Sequence, residues 1–303
     1  MIRDVVLLGG PTASGKTALS LHAAERLNGE IVNADAMQVY TGMDIIAASP
    51  TPAERDRVPH HLFGILDMAD RCSVGRWVEM ALNVISDIAG RGRTAILVGG
   101  TGLYFKALET GLADVPPVAP ERVERLGCEP LDALRKRAEA IDPDATAKIE
   151  TGDRQRLVRL ISVFEETGQT LSAFQTNTVP RLDADRCVGI AVTPDRDGLY
   201  SRIERRFDDM IECGALREAE AIYARHLDPG LPAVKAVGLR PLLEHLDGKT
   251  DLQTAISLAK RDSRRYAKRQ FTWFSNQHPT WAKVRALEPE AQLCELEYVL
   301  DAL

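Results

Sequence analysis

Eight consecutive residues near the start of the chain, Gly10-Pro11-Thr12-Ala13-Ser14-Gly15-Lys16-Thr17, follow the pattern G-x-x-x-x-G-K-[ST]. Glycines in such a loop let backbone N–H groups surround phosphate oxygens, and the N-terminus of a following helix adds positive potential. Lys16 brings a charge and Thr17 a hydroxyl suited to a magnesium ion. The loop therefore implies a ligand that carries a di- or triphosphate. A phosphoryl-transferring ATPase would add a second carboxylate at the end of an apolar strand to hold the metal. The chain offers no obvious candidate: the apolar run Thr94–Val98 ends in Gly99-Gly100-Thr101-Gly102, and the acid nearest a strand end is Asp35, just past Ile31–Val32. A hydroxyl and a carboxylate at neighbouring strand ends would both face the phosphate loop, an arrangement suited to removing a proton beside a diphosphate.

Strands and helices must place these groups. Val5–Leu8 reads as a buried strand leading into the loop, followed by a helical pattern (Leu19, Ala23, Leu27) closed at Asn28-Gly29. Glu30–Asn33 is a second strand. After an irregular stretch with Pro50, Pro52 and Pro59, Ser73 caps a helix with the apolar face Val74, Trp77, Val78, Ala81, Leu82, Ile85 and Ile88, and Thr94–Val98 is a third strand. Such alternation predicts an α/β protein with a P-loop NTPase-like parallel sheet core. Pro116, Pro117 and Pro120 break the pattern, and from about Glu121 to Thr176 the periodicity is helical, as for an inserted helical domain. Val188–Val192 is again strand-like, followed by helices at roughly 195–213, 215–226, 234–246 and 251–275. The expected division is a core of residues 1–115 and 185–303 and a helical insertion of residues 116–184.

The composition supports a globular chain: 303 residues, 45% hydrophobic and 27% charged, with no apolar run near the roughly 18 residues of a membrane span. The short run Val5–Leu8 is no signal-peptide core, so the expected location is the cytoplasm and no membrane partner is expected. Five scattered cysteines without C-x-x-C spacing argue against disulfides or a structural zinc, and read as small buried hydrophobes. A net charge of −6 weighs against nonspecific coating of nucleic acid but leaves room for local basic faces. One such face is Arg154, Arg156 and Arg159; another is Arg261, Arg264, Arg265, Lys268 and Arg269, an arc of about 140° opposite Ala259, Tyr266, Ala267, Gln270 and Phe274. Asp208-Asp209, which follows Arg202, Arg205 and Arg206, reads as a solvated helix face with i,i+4 pairs, and His60-His61 lacks the spacing of a metal site.

With these residues in view, the chain resembles the tRNA dimethylallyltransferase (tRNA isopentenyltransferase) family over nearly its whole length. The matching stretches are Gly9–Thr17, Asn33–Ile45 (NADAMQVYTGMDI), Pro59–Asp67 (PHHLFGILD), Val98–Tyr104 (VGGTGLY), Asp142–Gly168 and Tyr266–Phe274 (YAKRQFTWF). The resemblance implies transfer of a dimethylallyl group from dimethylallyl diphosphate to N6 of the adenine just 3′ of the anticodon, with release of pyrophosphate. It implies magnesium as cofactor, with Thr17 as a ligand, and a monomer that binds the anticodon stem-loop of tRNA. Asp35 becomes the general base and Thr101 a catalytic neighbour in contact with substrate. RNA contacts fall on Asp35, Ala36, Met37, Gln38 and Thr101, and on Gln155, Arg156, Leu157, Val158 and Arg159 of the insertion. The chain departs from the family pattern at Ile46-Ala47-Ala48-Ser49-Pro50, where Gly-Thr-Ala-Lys-Pro is usual and a positive charge is lost. It departs again at Gly238-Leu239-Arg240-Pro241 and at Gly152-Asp153. Two competing readings are a kinase using ATP at the same loop and a nucleotide-gated RNA-binding module without chemistry. The absent strand-end acid and the NADAMQVY and YAKRQ stretches stand against the first, and Asp35 and Thr101 beside the loop against the second.

Overall fold

The structure is a computed structural model that describes residues 4–176 and 178–302. The chain divides into two compact units, one running to Glu109 and resuming at Leu182, the other Thr110–Arg181. The first unit opens with β1 (Val5–Gly9), α1 (Lys16–Arg26), β2 (Gly29–Asn33), α2 (Pro52–Arg55), β3 (His60–His61), α3 (Val74–Gly90), β4 (Thr94–Gly99) and α4 (Gly102–Thr110). The second holds α5 (Pro120–Gly127), α6 (Leu131–Ile141), α7 (Pro143–Ala147), α8 (Arg154–Thr167) and α9 (Leu171–Gln175). The first unit then resumes with β5 (Cys187–Val192), α10 (Arg196–Glu212), α11 (Ala215–Tyr223), α12 (Leu239–Leu246), α13 (Leu252–Gln277), β6 (Ala282–Val284) and α14 (Pro289–Leu300).

All six strands form one parallel sheet in the order β3-β2-β4-β1-β5-β6. Its central strands are apolar along their whole length because helices cover both faces. The pleat sorts them by alternation: Val5, Leu7, Ala95 and Leu97 pack with Trp77, Phe105 and Phe274 on one face. Val6, Leu8, Ile96 and Val98 pack with Leu19, Leu21 and Leu296 on the other. A third cluster joins Val39, Tyr40 and Met43 to Ala219 and Leu242, under the loop that follows β2. The register aligns Gly9 with Gly99 and Ala191, and Asn33 with Val98. The phosphate loop, Asp35 and Thr101 therefore all leave the sheet at its C-terminal edge, where open α/β sheets bind ligands.

Local chemistry sets the ends of these elements. Ser73 Oγ accepts from Arg76 N–H to cap α3, as its sequence implies. In the proline-containing stretch, Thr51 and Glu54 form a capping box that starts the short α2. The two-residue edge strand β3 is too brief to carry a period that sequence could reveal. The cysteines correct an expectation: all five are free thiols, yet Cys128, Cys213 and Cys294 are exposed. No described helix is long and apolar enough to cross a membrane.

The second unit has its own core of Leu126, Leu134, Ala138, Leu157, Val158, Leu160 and Ile161. Asp153 accepts from Arg156 N–H to start α8, and Gly168, at φ 72°, ends it in the left-handed conformation.

Candidate active site

The phosphate loop turns from β1 into α1 through Gly15, whose φ of 96° an L side chain rarely adopts. Two glutamines from distant helices hold it. Gln292 of α14 donates to Ser14 O (2.8 Å), and a Cβ on Gly15 would lie 2.4 Å from its Oε1. Gln270 of α13 accepts from Thr12 N–H (2.9 Å) and donates to Gly100 O (2.9 Å). Lys16 Nζ donates to Pro11 O at 2.5 Å across the loop. Burial is the main reason that the Lys16 ammonium titrates at about 7; Asp35 opposes the shift and Arg206 adds to it by repulsion. Ser14 Oγ is buried without a partner among the described residues. A phosphate would satisfy that hydroxyl and restore the lysine's charge.

The loop after β2 is held by Asn33, whose Oδ1 accepts from Asp35 N–H (2.7 Å) and whose Nδ2 donates to Asp35 O and Leu62 O (both 3.0 Å). Asp35 Oδ1 accepts from Met37 N–H (2.9 Å), which fixes the carboxylate. Thr101 Oγ1 accepts from Ala36 N–H (2.9 Å), so the two loops are stitched together. A Cβ on Gly99 would fall 2.0 Å from Ala34 O, so only glycine allows this approach. Asp35, Lys16, Thr17 and Gln38 line a cavity of about 440 Å³. Thr101 does not line it; its hydroxyl is engaged by Ala36 N–H, with the Tyr266 side chain beside it. A smaller cavity of about 180 Å³ shares Thr12, Ala13, Asp35 and Arg206 with the first and is otherwise largely apolar, with Met37, Ile203, Phe207 and Met210.

On α10, Asp208 and Asp209 are exposed, as expected of a solvated helix face, but among the described residues the expected i,i+4 pairs do not form. Arg202, Arg205, Arg206 and Asp209 line the main cavity opposite the phosphate loop, and Asp208 pairs with Lys260 of α13 (2.6 Å), not with an arginine one turn away. Burial depresses the Arg206 guanidinium, while Asp35 works to keep it charged. The cluster could have been suspected from Arg202, Arg205 and Arg206, whose i, i+3, i+4 spacing gathers three cations on one face. These arginines also bring positive charge to the cavity wall formed by Ala47, Ala48 and Pro50, the stretch where a lysine is missing.

Among the described residues no group of three His, Cys, Asp or Glu side chains could hold a metal ion. His61 binds Glu30 (2.6 Å) and His60 Nδ1 bonds Val58 O (2.8 Å), so both rings have structural partners.

A family model described as IPP transferase matches residues 38–277. The chain belongs to the IPP transferase family. It is 53% identical over 300 residues to a tRNA dimethylallyltransferase of Maricaulis maris (strain MCS10), covering 98% of this chain and 97% of that protein. It is 50% identical over 293 residues to one of Caulobacter sp. (strain K31), covering 95% of each. Among solved structures, the full-length tRNA isopentenylpyrophosphate transferase of Bacillus halodurans aligns with a TM-score of 0.70 at 36% identity, covering 99% of this chain and 96% of that one. A eukaryotic dimethylallyltransferase acting on tRNA aligns with a TM-score of 0.81 at 27% identity, covering 95% and 75%.

Family membership directs attention to the residues carried over as RNA contacts. Gln38 donates to Ala47 O and Ala48 O (3.1 and 2.9 Å) and so shapes the cavity wall. On α8, Gln155, Arg156 and Arg159 are exposed, and Arg156 pairs with Asp153 (3.2 Å). The Leu157 and Val158 side chains are buried in the second unit's core, where they support α8. Arg154 donates to the Gly127 and Glu129 carbonyls and is likewise structural. On α13, Arg264 pairs with Glu204 and Arg269 lies 5.5 Å over the Tyr266 ring, whereas Arg265 and Lys268 are exposed with no ion pair among the described residues.

Proposed function

We propose that this chain transfers the dimethylallyl group of dimethylallyl diphosphate to N6 of the adenine 3′-adjacent to the anticodon of tRNA, releasing pyrophosphate. The observation that carries the reading is one cavity in which the phosphate-loop lysine, the half-buried Arg206 and the Asp35 carboxylate face the same space, with an apolar annex beside them. The diphosphate belongs against the loop amides, Lys16 and Arg206, and the five-carbon group in the annex. As the allylic C–O bond breaks, those cations stabilise the charge gathering on the leaving oxygens. The adenine amine forms the new N–C bond, and its proton passes to the Asp35 carboxylate, already oriented by Met37 N–H. Thr101 contributes by fixing the backbone at Ala36.

The donor set also suits magnesium, since a single protein hydroxyl from Thr17 leaves room for the diphosphate oxygens and waters that this ion prefers. When bound, the ion would neutralise part of the diphosphate charge. An adenine inside an anticodon loop reaches a recessed carboxylate by flipping outward. Gln155, Arg156 and Arg159 are exposed to meet the RNA backbone. The reading includes a monomer working in the cytoplasm, where tRNA is found, and gives the phosphate loop a prenyl diphosphate as its ligand in place of ATP.

The test is to incubate the protein with tRNA, Mg²⁺ and dimethylallyl diphosphate and to analyse the digested nucleosides. N6-dimethylallyladenosine next to the anticodon is the expected product. Absence of that product, or a phosphorylated product that forms only with ATP, would overturn the reading.

A further inference from the structure

Gln270 stands apart on the packed face of α13. Its neighbours on that face, Ala259, Ala267 and Phe274, are apolar, and Gln270 itself is 5% exposed. Burying an amide there is unfavourable unless both of its ends are bonded. Both ends go to loops of the site, not to α13's own packing partners. Oε1 accepts from Thr12 N–H in the phosphate loop, and Nε2 donates to Gly100 O in the loop that carries Thr101 (2.9 Å each). Two further observations point the same way. A Cβ on Gly100 would lie 2.0 Å from Gln270 Nε2, so glycine there makes the seat for the amide. One turn earlier on α13, the Tyr266 side chain lies beside both Thr101 and Gln270. A single amide therefore spans the loop that holds the leaving group and the loop that steadies the acceptor side.

We propose that Gln270 is a positioning residue for the transfer reaction, fixing the separation of the phosphate loop from the Gly99–Gly102 loop through its one side-chain amide. The inference rests on the transferase reading above and adds a residue to it. Thr12 N–H is occupied by Gln270 and is not offered to a phosphate, so loss of the bridge shifts the loops relative to each other while the remaining loop amides and Lys16 still bind the diphosphate. Misplacing reactants by about 1 Å costs on the order of 10²-fold in rate. The signature is a loss in the chemical step with binding retained.

The experiment uses the full chain with Gln270→Met, which keeps the volume and removes both bonds, and Gln270→Glu, which keeps the acceptor for Thr12 N–H and loses the donor to Gly100 O. Single-turnover rates with tRNA and dimethylallyl diphosphate are measured below each variant's melting temperature, alongside Kd for pyrophosphate and for tRNA. The expected result for Gln270→Met is a rate lower by about 10- to 100-fold, with both Kd values within about threefold of wild type. For Gln270→Glu, the rate relative to wild type at the same pH rises as pH falls, because a protonated carboxyl regains the donor to Gly100 O. The glutamate arm decides if the methionine variant does not fold. Rates within threefold of wild type, or a loss accounted for by weaker binding, would overturn the inference. Failure of the wild-type protein itself to prenylate tRNA would instead overturn the functional reading on which it rests.

Discussion

On the proposed function, Lys16 should make pyrophosphate binding a proton-uptake reaction. In the ligand-free protein its ammonium titrates at about 7, held down mainly by burial, and a bound anion returns it to the charged form. The linkage factor is one plus ten to the power of (pH − 7), which grows by about tenfold between pH 6 and pH 8, or about 1.4 kcal/mol. Affinity for pyrophosphate should therefore weaken by about tenfold over that interval, beyond any change from the ligand's own ionisation, and nearly one proton should be taken up per site at pH 8. Titration calorimetry in buffers of different ionisation enthalpy measures that uptake directly. Lys16→Arg is the control, since a guanidinium stays charged and cannot take up a proton whatever its affinity. Stability follows the same sign. Between pH 7 and the unfolded value of 10.5 the unfolded chain binds a proton that the folded chain lacks, so the ligand-free protein gains stability as pH rises. Saturating pyrophosphate should flatten that gain. Equal proton uptake in wild type and Lys16→Arg would refute this account of the loop.

Asp35→Asn retains an oxygen for Met37 N–H but cannot take the amine proton, so turnover should fall by roughly 10²–10⁴ while tRNA affinity changes by less than about tenfold; a single-turnover rate within about threefold of wild type would remove Asp35 as the base. Neutralising Arg156 and Arg159 together should lower the salt dependence of tRNA binding by about one slope unit for each phosphate that is no longer neutralised, measured by filter binding across salt concentrations; an unchanged slope would return both to the solvated surface. Far from the site, burial alone would raise the Glu30 carboxyl, but bonds from Arg91, His61 and Arg93 hold it at about 2. Its contribution, up to about 3 kcal/mol, should be lost as pH falls from 4.5 toward 2, and Glu30→Gln should abolish that part of the acid transition in thermal melts.

The phosphate loop, Asp35 and the parallel sheet were legible because their signals are local. A glycine-lysine pattern between a strand and a helix needs no distant partner to be recognised. Arg202, Arg205 and Arg206 carry the same residue types as any amphipathic surface helix, and only packing shows that they face the phosphate loop. Leu157 and Val158 lie on the packed side of α8: a contiguous stretch of family pattern on a helix includes the buried face along with the exposed one. Gln270 carried a faint signal, a polar residue on an otherwise apolar face, but its partners lie 258 and 170 residues away. Gln292 gave less still, because α14 lies beyond the last helix that the periodicity predicts.

The order in which the site is assembled follows from where its parts lie along the chain. The central strand β1 pairs on one side with β4 and on the other with β5, whose first residue follows Val5 only after the whole helical unit has been made. The phosphate loop leaves the ribosome well before Gln292, which props Ser14 O from 278 residues further on. Contacts of such high separation form late, and domains fold as units during synthesis. While the helical unit is being made the phosphate loop still lacks both glutamine braces, and it takes its braced form only once α13 and α14 have both emerged.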